Sequence, residues 1–490
     1  MINFRKKFAK HATHSFLKYG KLPLSTNKMQ IMKILSAFKY SLLLGLAISS
    51  CQPAITNVDL SAADYVFENA TVIDVSNGNL TVAHVVVQGD KITQLIVSAL
   101  PHTWGDATVI PASGKFLLPG LAEMHAHIPS MEWDDPLIAE TLFLYLSNGV
   151  TTIRGMLGNP VHLELREKAR NREIISPRIF TSSPSLNGNT VRTPEEARTQ
   201  VQAYAAAGYD FLKLHPGIRL HVFDEIVKTA NESGIPFAGH VSNLVRVRHA
   251  LQNKYQSIDH VDAFIEGLVP EDAGVNPIEN GFFGYNFTDL ADTTRIGELV
   301  KMSKDNGVWI VPTQALFDRW FSPVPADQLA EEDEMKYMSP ETRNNWVNSK
   351  NNLTETANFD PAKWERYNQI RYRLIKELHD NGQGLLLGSD APQVFNVPGF
   401  SIHHELQGML DAGLTPLEAL QIGTLNPATF FEGNFGQIKE GMEADLILTD
   451  NNPLEDLNHL KNPVGVMARG QWMDRELIQQ KLVDIAANYK

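Results

Sequence analysis

Residues 117–127 read Leu-Leu-Pro-Gly-Leu-Ala-Glu-Met-His-Ala-His, a short apolar stretch that ends in two histidines separated by one residue. The apolar part, residues 117–124, predicts a β-strand. Residues i and i+2 of a strand point to the same side, so the imidazoles of His125 and His127 are expected to aim at one point. Taken alone, the pair is weak evidence for a metal site, because the chain has 16 histidines and chance pairs are common.

Seven more short apolar or β-branched segments follow, and amphipathic stretches of helical length separate most of them. They lie at 150–154, 178–181, 211–214, 236–240, 257–260, 308–312 and 385–389. Strands that alternate with helices predict an α/β protein with a parallel (β/α)8 TIM barrel, which we place at residues 117–430. The interval 318–365 departs from this alternation with three tryptophans and many acids, and it predicts a helical insertion over the barrel mouth.

Polar residues mark the carboxyl ends of several predicted strands, the face that carries catalysis in barrel enzymes. Each has a structural reading when taken singly: Lys213 as a solvated strand end, His240 and His260 as core histidines, and Asp390 as a helix cap. Metal-competent residues at five strand ends are better explained by one shared site. The predicted metal ligands are His125, His127, Lys213, His240, His260 and Asp390.

The two regions beside the predicted barrel show β alternation and turn signals. Residues 64–116 contain the turns 75–78 and 88–90, and residues 431–490 contain the strand-like stretches 444–448 and 464–467. Two β-rich flanks around one barrel predict a small composite β-sandwich domain that both chain ends build together. Residues 52–63 are interpreted as a linker.

The N-terminal segment has the pattern of a secretory signal. Basic residues precede the apolar run 41–48, which is shorter than the ~20 residues that a membrane span requires. Residues 48–51, Ile-Ser-Ser-Cys, resemble the bacterial lipobox, in which the cysteine is lipidated; the alternative is an ordinary cleaved signal with a coincidental cysteine. Residues 1–51 are thus predicted to be a signal region, with Met29 or Met32 as alternative starts, and Gln52 favours the outer membrane of a bacterial envelope.

The composition excludes several classes of protein. The chain of 490 residues is 43% hydrophobic and 20% charged, as expected of a folded protein. Its formal charge of −13 combines nine basic and no acidic residues in 1–50 with 34 basic and 56 acidic residues thereafter. Such an acidic body repels phosphate backbones and argues against nucleic-acid binding. A single cysteine excludes an intrachain disulfide framework and a Cys-rich zinc site.

The ordered set of predicted ligands resembles that of the amidohydrolase superfamily, and specifically its imidazolonepropionase-like and Xaa-Pro dipeptidase-like branch. The resemblance runs from about residue 64 to 474 and includes the segments 149–154, 413–420 and 424–428. The chain departs from the branch at Gly155, where relatives usually carry an acid, and after Thr181, where the common Gly-Gly pair is missing. These departures concern substrate contacts and leave the predicted metal ligands in place.

The resemblance also implies a binuclear centre. Imidazole and carboxylate suit Zn²⁺, with Mn²⁺ or Fe²⁺ as alternatives, whereas a free lysine ammonium cannot bind a cation. Family resemblance implies that Lys213 is N-carboxylated by CO2 and bridges two metals. One metal would take His125, His127, Lys213 and Asp390, and the other Lys213, His240 and His260. The metal pair would hold a shared hydroxide, with Asp390 as general base and acid.

The predicted function is hydrolysis of a C–N bond in a small substrate, a dipeptide or an N-acyl amino acid. Two alternatives stay open: opening of a cyclic amide or deamination at a mononuclear site, and a surface lipoprotein that keeps the barrel only for binding. Mononuclear members of the superfamily generally lack the lysine, which argues against the first alternative. Candidates for substrate contact near the barrel-top loops are Arg154, Arg219, Tyr285, His403 and His404.

Overall fold

A computed structural model describes residues 62–97 and 104–489. The predicted signal region and lipobox, residues 1–51, and nearly all of the predicted linker lie outside the described residues. Within the described ranges, every helix is too short or too polar to cross a membrane.

Strands from both flanks lie in one eight-stranded sheet, with the order β15-β14-β13-β5-β1-β2-β3 and with β4 beside β1. The central join is antiparallel and places Ile447 of β13 opposite Leu118 of β5. A second layer facing this sheet, which the predicted sandwich requires, stays a prediction. The strand bounds, numbered in chain order, are β1 Tyr65–Asp74, β2 Asn79–Gln88, β3 Lys91–Ile96, β4 Thr108–Pro111, β5 Phe116–Pro119, β13 Leu446–Thr449, β14 Gly465–Ala468 and β15 Gln471–Asp474.

The seven strands between these flanks pair in parallel with their sequence neighbours, in one sheet of three and one of four strands. Parallel bridges join Ser182 to Phe211 between the two sheets, and residues 385–391 pair with one strand of each. At least one helix lies between every two consecutive strands of this set, in agreement with the predicted alternation. The strands are β6 Leu121–Ala126, β7 Val150–Gly155, β8 Arg178–Thr181, β9 Leu212–Leu214, β10 Phe237–Gly239, β11 Ser257–Asp259 and β12 Trp309–Val311.

Two predicted strands differ from the structure. The stretch 117–124 is two strands, because the chain crosses from the flank sheet at Gly120, whose N–H donates to the carbonyl of Asp445. A Cβ on Gly120 would lie 2.2 Å from Thr151 Oγ1, so this crossing requires glycine. The stretch 385–389 is not a continuous strand: Leu385 forms a single bridge with Ile310, and the Leu387 N–H donates to the carbonyl of Ile422 in a helix.

The helices follow the strands and cover the parallel sheets. Residues 318–365, the predicted insertion, contain α9, α10 and the start of α11. A second group of short 3-10 turns lies between α6 and α7, which the sequence analysis did not single out. The helix bounds are α1 Pro136–Ser147, α2 Pro160–Arg170, α3 Pro194–Ala207, α4 Leu220–Ser233, α5 Val247–Gln252, α6 Phe264–Leu268, α7 Ile296–Asn306, α8 Gln314–Arg319, α9 Ala326–Ala330, α10 Pro340–Thr356, α11 Pro361–Asn381, α12 Ser401–Asp411, α13 Pro416–Gly423, α14 Leu425–Phe431 and α15 Arg475–Ala487.

Candidate metal centre

The carboxylate of Asp390 lies among histidines that the fold collects from separate strand ends. His127 Nε2 is 2.7 Å from Asp390 Oδ1, and His125 Nε2 is 3.4 Å from the same oxygen. His260 Nδ1 lies 3.9 Å from the other carboxylate oxygen. His125, His260 and Asp390 each offer a ligand atom, and these three atoms lie within 4.8 Å of one another. These residues are therefore close enough to share one cation.

The other predicted ligands adjoin this group. The ring centroid of His260 is 4.4 Å from that of His240 and 4.7 Å from that of His125. Lys213 is fully buried, and a Cβ on Gly239 would lie 3.2 Å from its Nζ. The lysine tip therefore lies against β10, next to His240. The fold brings all six predicted residues into one cluster.

The imidazoles of this cluster have the arrangement that a bound cation requires. His240 Nδ1 is 3.2 Å from Asp262 Oδ2, and His260 Nδ1 is 2.8 Å from Thr313 Oγ1. His260 Nε2 is buried and has no hydrogen-bond partner among the described residues. Such an unpaired atom costs about 1–3 kcal/mol, and metal-ligating histidines typically engage a protein group through their other nitrogen. The residues therefore fit a divalent cation with imidazole and carboxylate ligands.

Burial sets the protonation states in the cluster. Desolvation holds the pKa of His125, His240 and His260 well below the ordinary imidazole value. At neutral pH these rings are therefore uncharged, which is the form that binds a metal. Burial likewise lowers the pKa of Lys213, although the neighbouring carboxylates oppose the shift. A larger fraction of Lys213 is therefore in the neutral, nucleophilic amine form than for an exposed lysine.

The backbone is strained where it presents these side chains. His260 and Asp390 have φ angles of 65° and 64°, and Val261 and Thr313 have φ angles of 53° and 47°. Side-chain-bearing residues rarely adopt such left-handed conformations, and β-branched residues least of all. Conformations of this kind cluster at functional sites and persist because the surroundings over-determine them. At Asp390 the N–H donates to the carbonyl of His125 at 3.0 Å, which fixes the two strand ends together.

Residues 116–473, well over half of the chain, match the model of the amidohydrolase family. The chain belongs to the amidohydrolase family. This membership confirms the resemblance inferred from the ordered ligand set.

Individual relatives agree with this family. The ochratoxinase of Aspergillus niger is 36% identical over 95 residues, which cover 17% of this chain and 18% of that protein; the match thus spans less than a fifth of that relative. Bottromycin amidohydrolase superposes with a TM-score of 0.65 and 22% identity over 86% of this chain and 90% of its own. A Xaa-Pro dipeptidase with bound methionine in the active site has a TM-score of 0.57 and 18% identity, over 84% and 99%. These superpositions show a TIM-barrel-like α/β fold.

Two buried carboxylates support the cluster of this amidohydrolase, and the sequence analysis did not identify them. The first, Glu123, accepts hydrogen bonds from the Ser389 N–H at 2.7 Å, the Ser389 hydroxyl at 2.6 Å and the His125 N–H at 3.1 Å. Burial raises its pKa to about 8. Glu123 ties the end of β6 to the residue before Asp390. Its sequence signal is an acid within an otherwise apolar strand.

The second carboxylate, Asp259, lies between the cluster and a buried arginine. Its Oδ2 is 3.1 Å from His125 Nδ1 and 3.8 Å from Lys213 Nζ. Its Oδ1 accepts from Arg154 Nη2 at 3.0 Å and from the Ser257 hydroxyl at 3.0 Å. A carboxylate beside the second nitrogen of a metal-binding histidine fixes the ring orientation and raises its basicity. Neither His125 Nδ1 nor Asp259 Oδ2 has a hydrogen-bond partner among the described residues, so Asp259 acts on the His125 ring through its charge at 3.1 Å.

We expect Asp259→Asn to weaken divalent-metal binding about 10- to 100-fold, the usual effect of losing such a partner. Thermal stability will fall as well, because Arg154 then keeps a buried charge without its carboxylate. Titration with a competing chelator measures the affinity. Ser257→Ala is the matched control, since it removes one hydrogen bond to Asp259 and leaves the charge. Unchanged metal affinity in Asp259→Asn would contradict this role.

The structure corrects the prediction that Arg154 contacts the substrate. It is fully buried and donates to the Met124 carbonyl at 2.7 Å and the Ser257 hydroxyl at 2.9 Å, in addition to Asp259. A guanidinium held in this way is not available to a substrate carboxylate. Sequence shows the charge of an arginine but not its burial.

The other candidates for substrate contact have these surroundings in the structure. The Tyr285 hydroxyl bonds the backbone of Asp360, His403 Nε2 lies 3.0 Å from Asn148 Oδ1, and His404 Nε2 lies 2.6 Å from Glu334 Oε1. Arg219 is exposed at the start of α4.

His215, two residues after Lys213, is a further polar neighbour that the sequence analysis missed. Its ring stacks on His240, with centroids 4.9 Å apart and an interplanar angle of 30°. Its Nδ1 is 2.6 Å from the Ser185 hydroxyl, and its N–H donates to the Leu186 carbonyl at 2.8 Å. The loop after β8 therefore holds this imidazole beside the cluster.

Proposed function

We propose that this amidohydrolase is a metal-dependent hydrolase that cleaves the C–N bond of a small substrate, a dipeptide or an N-acyl amino acid. The observation that carries the proposal is the cluster itself: buried neutral histidines, a buried lysine and a carboxylate meet where strand ends converge. These are ligands for divalent cations, and this donor set suits Zn²⁺.

For the metals we propose the ligand sets that the family resemblance implies. Lys213 is carboxylated by CO2 in this proposal, and its burial and lowered pKa favour the neutral amine that this reaction needs. When bound, two divalent cations supply an activated water and polarise the scissile carbonyl. The first cation would be held by His125, His127, Lys213 and Asp390, and the second by Lys213, His240 and His260.

Asp390 is the proposed general base and acid. Its Oδ1 lies 2.7 Å from His127 Nε2, whereas Oδ2 lies 3.9 Å from His260 Nδ1. Oδ2 is therefore the oxygen better placed to take a proton from the attacking water and return it to the leaving nitrogen. In this proposal Glu123 keeps β6 and Ser389 in place during the proton transfer, and Asp259 does the same at the end of β11.

The names of the relatives support amide substrates, since they include a Xaa-Pro dipeptidase and an amidohydrolase; fold analogy alone does not choose among such substrates. The test is a library of dipeptides and N-acyl amino acids, assayed on metal-loaded protein beside lactams and aminopurines. We expect turnover of linear amides that stops on chelation. Turnover confined to lactams or aminopurines would overturn the proposal in favour of cyclic-amide hydrolysis or deamination.

We further propose that the mature chain is exported and lipid-anchored at Cys51 in a bacterial envelope. The lipobox-like residues 48–51 and the position of the only cysteine support this. After expression of the full chain in a Gram-negative host, the wild type is expected in the membrane fraction and Cys51→Ala in the soluble fraction. Equal membrane association of both proteins would contradict the anchor.

For the architecture we propose that β6 to β12 and residues 385–391 close a (β/α)8 barrel. The bridges Ala126–Ala391 and Ile310–Leu385 support closure, because they place this segment between β6 and β12. The flank sheet would then form the composite β-sandwich beside the barrel.

A further inference from the structure

Phe283 lies directly beside the histidine cluster. Its ring centroid is 5.3 Å from that of His260 and 5.9 Å from that of His240. The side chain is only partly buried, whereas the residues of β10 and β11, the strands that precede these two histidines, are buried. It belongs to the short 3-10 turns between α6 and α7, outside the regular alternation of strands and helices.

The backbone of Phe283 is in the left-handed region, with φ 46° and ψ 46°. A bulky aromatic residue there is an outlier that ordinary packing does not require. Gly284 follows with φ 85°, and the Tyr367 hydroxyl donates to the Phe283 carbonyl at 3.0 Å. The surrounding chain therefore over-determines a strained conformation that turns this ring toward the cluster.

Two further aromatic rings pack against Phe283. Its centroid lies 4.9 Å from that of Phe282 and 5.2 Å from that of Phe317. Arg154, predicted to bind a substrate carboxylate, instead donates hydrogen bonds to the Met124 carbonyl and to Asp259. The chain thus places an apolar wall next to the histidine cluster, where Arg154 offers no free charge; the other predicted charged contact, Arg219, is exposed at the start of α4.

We propose that Phe283 determines specificity: it forms the wall against which an apolar aromatic or branched aliphatic group of the substrate packs, next to the scissile amide. This inference rests on the proposed function and narrows its substrate class to amides with an apolar acyl or amino-acid side chain. In this proposal the strained backbone of Phe283 persists because it places the ring beside the cluster, where the substrate packs against it.

The experiment compares wild type with Phe283→Ala on amides in which the acyl group and the amino acid are varied separately between small and apolar. A missing apolar contact changes discrimination by about 10- to 200-fold. We expect kcat/KM to fall about tenfold or more for the apolar member on one side of the amide, and to stay within about twofold for the small member. Phe359→Leu is the matched control, since that ring is also partly buried but packs on Tyr285 and Phe321. An equal loss for small and apolar substrates, or no loss, would overturn the proposal.

Binding to metal-loaded protein separates this inference from the proposed function. By calorimetry, benzohydroxamate is expected to bind wild type more tightly than acetohydroxamate, and Phe283→Ala should remove this preference. If linear amides fail as substrates while wild type still prefers benzohydroxamate and Phe283→Ala does not, the proposed function is wrong, but the role of Phe283 as an apolar wall is supported. A preference that survives in Phe283→Ala overturns the wall.

A stability measurement tests the strain. Glycine accepts the left-handed region, whereas alanine does not. Phe283→Gly is therefore expected to have a higher Tm than Phe283→Ala, although both lose the same ring. A lower Tm for Phe283→Gly would show that the conformation is not strained and would remove that support.

Discussion

Lys213→Ala is expected to lose the second metal and to lower kcat/KM by about 10³-fold or more. The lysine is fully buried, and its Nζ has no hydrogen-bond partner in the part of the chain that the structure describes. In the proposed centre its carboxylated form would be a ligand of both cations. A bound metal supplies several kcal/mol of transition-state stabilisation, which corresponds to this loss in rate. Metal counting by mass spectrometry and steady-state kinetics measure the two effects.

Added propionate is expected to restore part of the activity of Lys213→Ala, because a short carboxylate fits the space that the side chain leaves. Lys350→Met is the matched control. That lysine is also buried, but its Nζ donates to the carbonyls of Arg319 at 2.7 Å and Ser322 at 2.9 Å, so its loss should lower Tm and leave the metal content unchanged. Full activity and a metal content equal to that of wild type in Lys213→Ala would refute the carboxylated lysine as the bridging ligand.

The convergence of the six candidate ligands could be predicted because it depends on local rules. His125 and His127 share a side of one strand through the two-residue period, and parallel strands bring their carboxyl ends to one face. Lys213, His240 and Asp390 needed only their positions at strand ends. None of these inferences required a distance between remote parts of the chain.

The supporting residues could not be predicted, because their roles depend on tertiary contacts. Asp259 and Glu123 look like any acid in a strand until the structure shows which histidine or serine they meet. Arg154 looks like a substrate contact until its burial is known. The left-handed φ of Phe283 is imposed by neighbours such as Tyr367, far away in sequence, and the break of β5 and β6 at Gly120 is imposed by Thr151 and Asp445.

Asp390→Asn is expected to lower kcat by about 10²- to 10⁴-fold, the usual contribution of a general acid–base group. The substitution suits the test because asparagine tolerates the left-handed φ of 64° at this position better than other residues do. The Asp390 N–H, which donates to the His125 carbonyl, is retained. The loss can then be attributed to the carboxylate and not to a rearranged strand end. Single-turnover kinetics with metal-loaded protein measure it.

Asp318→Asn serves as the control for a buried carboxylate that becomes an amide. Burial raises the pKa of Asp318 to about 6, and its carboxylate accepts from Gln314 at 2.9 Å and Asn368 at 3.2 Å, so we expect activity close to wild type. Metal content decides how a loss in Asp390→Asn is read. If the first metal is retained while kcat falls, Asp390 acts in proton transfer; if metal and kcat fall together and excess metal restores kcat fully, Asp390 is a ligand only and the general-base role is wrong, because an amide cannot accept the proton of the attacking water.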